Sequence, residues 1–168
     1  MIVAKLNQSE FEYDIHSLIK AFYPSENVSA TVEDKEYGEP VTSRMTVDYG
    51  ENHIDICWWN GDAKTPESSD IIAQAETEVD FSDRKEAKNS LKRLLYGMLS
   101  EYTGKKLPWG NLTGIRPTKI PMKLLEAGKS REEIRTFMKD TYAASDEKID
   151  LAVDIAEREL ALLDKIDY

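Results

Sequence analysis

The chain has 168 residues, of which 32% are charged and 40% hydrophobic, and its formal net charge at pH 7 is −10. A chain of this length can bury a core of its own, and the strongly acidic balance argues against a general nucleic-acid binder. Its single cysteine excludes an internal disulfide, and the absence of a signal sequence or a long apolar run predicts a cytoplasmic protein with no membrane partner.

The first part of the chain predicts a small α+β unit. Apolar residues alternate from residue 2 to residue 6, which is typical of a strand with one buried face. Ser9 and Glu12 have the spacing of a capping box, in which two side chains satisfy the first backbone N–H groups of a helix. We therefore predict a helix over 9–23 and a second short strand over 28–32.

A β-hairpin is the strongest strand prediction. Residues 43–60, SRMTVDYGENHIDICWWN, alternate on either side of a turn at 50–53. Pairing across this turn sets three apolar pairs on one face, namely Tyr49 with Ile54, Val47 with Ile56 and Met45 with Trp58. Residues 71–79 predict a further strand, although their alanines and glutamates leave a helix open.

From residue 82 onward the apolar residues recur at helical spacing. The sequence predicts a long helix over 82–103, capped by Ser82 and ended by Gly104 in a left-handed conformation. Its predicted buried stripe consists of Ala87, Leu91, Leu94, Leu95, Met98 and Tyr102. Residues 1–106 are thus expected to form an α+β domain, in which a small mixed or antiparallel sheet packs with two helices.

The last part of the chain predicts a bundle of about three helices. The first helix ends at Gly128, the second opens with a capping box of Ser130 and Glu133, and the third is capped by Ser145. The third helix is expected to bury Ile149, Val153, Ala156, Leu160 and Leu163. We assign 107–168 to this helical subdomain and to a rigid elbow that precedes it.

Charge is distributed unevenly along the chain. Residues 1–81 carry 5 basic and 17 acidic side chains, whereas residues 82–139 have a net charge of +8. Two interpretations of the basic segment stay open. Its charges neutralise an acidic part of the same protein, or the segment contains a site for an anion.

Three side chains of metal-ligating types share one face of the second hairpin strand. His53, Asp55 and Cys57 follow one another at a spacing of two residues. Three ligands in a row on one strand diverge from a common centre unless the strand bends. We therefore interpret the row as a face exposed to solvent or to another domain. Neither a metal site nor a catalytic residue is predicted in the chain.

The segment LPWGNLTGIRPTKI, residues 107–120, fits neither of the helical patterns around it. Its two prolines and two glycines predict a rigid turn. We expect Pro108 and Gly110 to fix the turn, and Trp109 to fill the gap between the long helix and the helical bundle. Pro117 is expected to set the entry into the next helix, which begins there or at Ile120.

The same elbow carries a candidate anion site. Gly114 permits a positive φ angle, and Arg116 and Lys119 place positive charge around the first turn of the next helix. Thr118 lies in that turn as well. Helix N-termini attract anions through their unpaired N–H groups. The segment is therefore either a structural elbow only or an elbow that also binds an anion or docks another domain.

Two stretches around the elbow resemble a known family. They are DRKEAKNSLKRLLYGMLSEYTGKKLPWGNLTGIRPTKI and EAGKSREEIRTFMKDTYAASDEKIDLAVDIAERE, both within residues 83–159. They are similar to the N-terminal region of HemZ-type coproporphyrinogen dehydrogenases, which are radical-SAM proteins related to oxygen-independent coproporphyrinogen III oxidase. The string LPWG-LTG-RPTK is the most specific part of this resemblance.

The resemblance implies a function for a longer protein. In the family, a radical-SAM barrel follows this region and holds a [4Fe–4S] cluster through a CxxxCxxC motif. Cleavage of S-adenosylmethionine there leads to the decarboxylation of coproporphyrinogen III propionates to vinyl groups, although some relatives act in haem handling instead. This chain has none of those cysteines. The resemblance therefore implies a fragment without a cofactor of its own, which precedes the radical-SAM domain of the same polypeptide.

Two roles remain open for the chain. In the first, it is a non-catalytic accessory domain of a porphyrinogen-processing enzyme, with Arg116 and Lys119 facing substrate propionates or the catalytic barrel. In the second, it is an RNA-binding module of an RNA-modifying enzyme, as an α+β unit followed by basic helices suggests, and the helix–turn–helix-like stretch 121–142 extends this role to DNA. The acidic first third disfavours this second role. A domain that serves only folding or oligomerisation is a further possibility.

Overall fold

The computed structural model describes residues 1–113 and 116–166 of the chain. These residues contain five strands and five α-helices. The strands are β1 (Ile2–Leu6), β2 (Val28–Thr31), β3 (Ser43–Tyr49), β4 (His53–Asn60) and β5 (Ile71–Glu78). The helices are α1 (Glu12–Phe22), α2 (Arg84–Thr103), α3 (Lys119–Glu126), α4 (Arg131–Tyr142) and α5 (Asp146–Lys165). The chain divides into two units, Met1–Lys106 and Leu107–Tyr168.

The strands of the first unit form one mixed sheet in the order β2-β1-β3-β4-β5. β1 lies parallel to β2 and to β3, whereas β3, β4 and β5 are antiparallel neighbours. The hairpin register is confirmed, because Tyr49 pairs with Ile54, Val47 with Ile56 and Met45 with Trp58. The α+β class, with helices following the sheet, is confirmed as well.

One face of the sheet is apolar and packs against helix α2. Met45, Val47 and Ile54 are fully buried on this face. The ring of Trp58 meets that of Tyr102 in α2 edge-on, with centroids 4.9 Å apart. The opposite face carries most polar side chains of the same strands, because side chains alternate along a strand, and it also carries the buried side chains of Val3 and Trp59.

The predicted start of the first helix is wrong. α1 begins at Glu12, three residues beyond Ser9, and Phe11 precedes it with φ of 63° and no side-chain cap. A left-handed backbone costs about 1–2 kcal/mol for a residue other than glycine. Phe11 is buried, however, and its ring meets Tyr49 edge-on with centroids 6.4 Å apart. Burial of a Phe side chain contributes roughly 1.5–3 kcal/mol, which offsets that cost.

The predicted cap of the long helix is also wrong. α2 begins at Arg84, and the carboxylate of Asp83 accepts a hydrogen bond from the backbone N–H of Glu86 at 3.1 Å. The hydroxyl of Ser82 donates to Asp80 instead, at 2.6 Å. The local turn at Asp80 thus occupies the serine, and the next residue caps the helix. Gly104 ends α2 with φ of 71°, as predicted.

The buried stripe of α2 differs from the prediction at its last turns. Ala87, Leu91, Leu95 and Met98 are buried as expected, whereas Leu94 is half-buried. Tyr102 is 54% exposed although its ring contacts Trp58, and Leu99, which was not predicted in the stripe, is fully buried.

The second unit packs its three helices around an apolar cluster. The buried members of this cluster are Leu112, Ile134, Met138, Tyr142, Ala144, Ile149 and Val153. The caps at Ser130 and Ser145 are confirmed, since each hydroxyl accepts a hydrogen bond from the backbone N–H three residues on. Gly128 follows α3 with φ of 82°.

The end of α5 is less buried than predicted. Ala156 is fully buried, Leu160 is half-buried and Leu163 is 54% exposed. The apolar cluster of this unit reaches only to Val153, so the last two turns of α5 extend beyond it. None of the helices within the described residues is both long and apolar enough to cross a membrane.

Candidate functional site

The elbow begins with a tight turn. The backbone N–H of Gly110 donates to the carbonyl of Leu107 at 2.9 Å, and that of Leu112 donates to the carbonyl of Trp109 at 3.1 Å. Gly110 has φ of 59°. The turn therefore requires at this position the backbone freedom that glycine supplies.

This turn is joined to the connection between α4 and α5. The backbone N–H of Asn111 donates to the carbonyl of Tyr142 at 2.8 Å, and its side-chain amide donates to the carbonyl of Thr141 at 3.2 Å. In return, the N–H of Ser145 donates to the carbonyl of Pro108 at 3.0 Å. The elbow thus satisfies the carbonyls at the end of α4, which a helix end otherwise leaves unpaired.

Asn111 is the residue of this segment that the sequence analysis missed. It is only 1% exposed, and its buried side-chain amide is hydrogen-bonded to the carbonyl of Thr141. An asparagine in a turn between helices gives no local signal of this role, because its partner lies 30 residues away in the sequence.

Trp109 packs against the apolar cluster of the second unit and is half-buried. The ammonium group of Lys148 lies 5.8 Å from the centre of its ring, within the range of a cation–π contact. Trp109 therefore supports the helical bundle. That it also fills a gap next to the long helix stays a prediction.

The remaining elbow residues surround the start of α3, which begins at Lys119 rather than at Pro117 or Ile120. The N–H of Lys119 donates to the carbonyl of Arg116 at 3.0 Å, and Pro117 lies in the turn that they form. Gly114, the fourth anion-site candidate, lies outside the described residues.

Thr118 is the most unusual of these side chains. It immediately precedes α3, it is 7% exposed, and its hydroxyl has no hydrogen-bond partner within residues 1–113 and 116–166. A buried hydroxyl without a partner costs roughly 1–3 kcal/mol. The first turn of α3 therefore keeps an unused polar group beside two cations.

Most cations of the segment 107–139 are engaged within the second unit. Five of its seven basic side chains form ion pairs there. They are Arg116 with Glu159, Lys129 with Glu133, Arg131 with Asp154, Arg135 with Asp150 and Lys139 with Asp146. Lys119 and Lys123 are exposed and form no ion pair among the described residues.

Of the two cations predicted for the anion site, Arg116 has an ion-pair partner. Its guanidinium lies 3.3 Å from the carboxylate of Glu159, and its side chain is 62% exposed. An exposed pair of this kind contributes about 0–1 kcal/mol. An incoming anion would compete with Glu159 for Arg116, whereas Lys119 has no such competitor in the part that the structure describes.

The ion pairs between α4 and α5 are structural. Arg131 donates to Asp154 at 2.7 Å and to the backbone carbonyl of Asp150 at 3.2 Å, and Arg135 donates to the Asp150 carboxylate. The hydrogen bond from Arg135 holds the pKa of Asp150 below its usual range. The same bond raises the pKa of Arg135. These arginines hold one helix to another and are less suited to meet a ligand.

His53, Asp55 and Cys57 on β4 lie on a polar face of the strand that is partly exposed. His53 lies 3.0 Å from Asp55, and both are about half-exposed. Asp55 pairs in register with Asp48 on one side and with Glu76 on the other, so three carboxylates face each other across the sheet. No group of three or more potential metal ligands comes together among the described residues.

Comparison with known proteins confirms the resemblance. A stretch of 77 residues of the chain is 42% identical to the oxygen-independent coproporphyrinogen-III oxidase-like protein HemZ of Bacillus subtilis (strain 168). This stretch is 46% of the chain and 15% of that relative, so the chain spans a small part of the length of the protein that it matches. No protein-family model matches the chain. No solved structure matches it either.

Proposed function

We propose that this chain is a non-catalytic accessory region of a protein that decarboxylates coproporphyrinogen III propionates in haem biosynthesis. The observation that carries the proposal is the 42% identity with HemZ over 77 residues. The chemistry belongs to a radical-SAM domain of the same polypeptide, which would bind S-adenosylmethionine and a [4Fe–4S] cluster. Clusters of this type are held by several thiolates, whereas this chain contributes only Cys57.

The first turn of α3 is the part of the chain that we propose to meet carboxylates. Lys119 supplies a cation without an ion-pair partner among the described residues, and the exposed Arg116 supplies a second. The N-terminal dipole of α3 adds a partial positive charge at the same place. A tetracarboxylate substrate, or a carboxylate of the catalytic domain, is the chemical partner that such a site suits.

The pairing of the cations argues against the RNA-binding alternative. Binding to a phosphate backbone needs several unengaged lysines and arginines on one surface. Within α4, Arg131 and Arg135 are tied to carboxylates of α5, and Lys139 is paired with Asp146. The helix–turn–helix-like stretch 121–142 therefore offers little unpaired positive charge.

Titration of coproporphyrin III, a stable tetracarboxylate, into the protein tests the site. The variant Arg116→Gln with Lys119→Gln is expected to weaken binding at least about tenfold, which corresponds to 1.4 kcal/mol. Both side chains are exposed, so the free energy of unfolding should change by no more than about 0.5–1 kcal/mol.

Lys129→Gln with Lys139→Gln is the matched control. It removes the same charge from the same unit, but both lysines are already paired with carboxylates. We expect the control to bind coproporphyrin III as tightly as the parent protein, which is the chain without substitutions. Unchanged affinity of the Arg116/Lys119 variant would reduce the segment to a structural elbow, and equal loss in both variants would indicate a general charge effect.

A further inference from the structure

A small cavity of the first unit lies on the face of the sheet opposite the one that packs against α2. It is lined by the strand residues Val3, Lys5 and Arg44. Asp34, in the loop after β2, and Lys64, in the loop after β4, line it as well. Lys5 pairs in register with Thr46, and Thr46 with Cys57, so the cavity opens on the face that carries Cys57. Its volume is about 70 Å³.

The cavity concentrates the few cations of an acidic region. Residues 1–81 contain only 5 basic side chains against 17 acidic ones, and four of the five line this one cavity. They are Lys5, Lys35, Arg44 and Lys64. The fifth, Lys20, donates to the backbone carbonyl of Glu26 elsewhere in the unit.

The carboxylates around the cavity only partly balance these cations. Lys5 lies 2.9 Å from Asp34, and Lys35 lies 3.5 Å from Glu33. Arg44, whose side chain is only 14% exposed, donates to Asp62 at 2.7 Å. Lys64 forms no ion pair within the residues that the structure describes.

The Asp34 carboxylate is stabilised by the positive charges of Lys5, Lys64 and Arg44. The hydrogen bond from Lys5 lowers the pKa of Asp34, and the charges of Lys64 and Arg44 lower it further. Its side chain is nevertheless 76% exposed, so little packing fixes it. Because this exposed carboxylate is held by one ion pair with Lys5, another anion can compete for its place.

We infer that this cavity is a binding site for a small oxyanion of the carboxylate or phosphate type, contacted by Lys5 and Lys64, and that the Asp34 carboxylate occupies the place of that anion. The size of the cavity supports this ligand class. A cavity needs roughly 10–15 Å³ to hold one water molecule, so a volume of about 70 Å³ leaves room for a group of a few atoms. Pockets for drug-sized ligands measure roughly 300–1,000 Å³, so a nucleotide or a porphyrin could insert only an acidic group.

The site is independent of the function proposed above. It is built from residues of the first unit, whereas the proposed carboxylate site lies in the second. Either site can therefore fail its test without affecting the other.

Isothermal titration calorimetry at low ionic strength, where screening is weak, tests the inference. Inorganic phosphate is the probe in one arm and malonate in the other. We expect saturable binding of one anion per chain, and the tighter of the two probes identifies the ligand type. Lys5→Gln with Lys64→Gln should weaken binding at least about tenfold, whereas Asp34→Asn, which removes the competing carboxylate, should tighten it several-fold. Circular dichroism verifies that each variant is folded.

Two controls separate a built site from general electrostatics. Lys85→Gln with Lys106→Gln removes two exposed cations of the same unit that lie outside the cavity, and Glu36→Gln removes a carboxylate from the same loop as Asp34. Both should leave the affinity unchanged. The inference is overturned if neither the parent nor the Asp34→Asn variant binds saturably. It is equally overturned if the controls shift the affinity as much as the cavity variants do.

Discussion

Gly110 and Gly128 both have a left-handed backbone, with φ of 59° and 82°, but their surroundings differ. A Cβ atom added at Gly110 would lie 1.7 Å from the carbonyl oxygen of Tyr142, whereas no atom of the described residues lies within 4 Å of one added at Gly128. The same carbonyl accepts the hydrogen bond from Asn111. The contact between the elbow and the end of α4 therefore depends on the missing side chain of Gly110.

Gly110→Ala is expected to lower the free energy of unfolding by more than about 2 kcal/mol, because the clash adds to the cost of a left-handed alanine. Gly128→Ala should cost only the backbone part, about 1 kcal/mol. Urea unfolding followed by circular dichroism measures both. Equal losses would mean that the elbow can move away from Tyr142 without penalty.

Serine caps decide where two of the helices begin. The hydroxyls of Ser130 and Ser145 accept hydrogen bonds from backbone N–H groups at 3.1 and 3.3 Å. Ser130→Ala and Ser145→Ala should each cost about 1 kcal/mol of stability. Ser9→Ala should change stability by less than about 0.5 kcal/mol, because Ser9 is exposed and does not cap α1. A loss at Ser9 as large as at Ser130 would contradict the observed start of α1.

The ion pair between α4 and α5 predicts a pH dependence. The hydrogen bond from Arg135 lowers the pKa of Asp150 from its reference value of 3.8. A group whose pKa is depressed by folding contributes stability above its unfolded pKa and loses that contribution as the pH falls through its folded pKa. Asp150→Asn should therefore lower Tm at neutral pH, and the difference from the parent should shrink below about pH 4.

Thermal unfolding at several pH values, with Arg135→Gln and the double variant included, measures this contribution. The double-variant cycle isolates the coupling between the two side chains from their other contacts. A coupling that keeps its size down to the lowest pH would show that the charge of Asp150 contributes nothing to it.

At the scale of the whole molecule, each unit has an apolar core of its own. In the first unit, Leu91, Leu95 and Leu99 of α2 are fully or almost fully buried, and Met45 and Ile54 are buried on the sheet. In the second unit, Ile134, Met138 and Ile149 form the centre of a separate cluster. Cores of this kind are what allow parts of a chain to fold separately.

Residues 1–106 expressed alone are therefore expected to unfold cooperatively in urea. Residues 1–81 alone should not, because they lack α2 and would leave uncovered the part of the apolar sheet face that packs against it. Circular dichroism and the steepness of the unfolding transition distinguish the two pieces. A non-cooperative transition for 1–106 would show that the sheet unit needs the helices that follow it.

Features that depend on neighbours along the chain could be predicted from the sequence. The hairpin register followed from alternation, because a shift by one residue would turn Met45, Val47 and Tyr49 to the polar face. The caps at Ser130 and Ser145 and the left-handed end at Gly104 followed from hydrogen bonds and backbone preferences that span a single turn. The 42% identity with HemZ likewise lies in the sequence alone.

Features that depend on contacts between distant residues could not be predicted, because folding alone brings those residues together. Phe11 takes a left-handed backbone because Tyr49 offers its ring a buried place, and this overrides the capping signal of Ser9. Asn111 is fixed by carbonyls at the far end of α4. Lys5 and Lys64 meet at one cavity although 59 positions separate them. Local patterns cannot show such arrangements, because long-range packing and electrostatic energies enter only once the chain has folded.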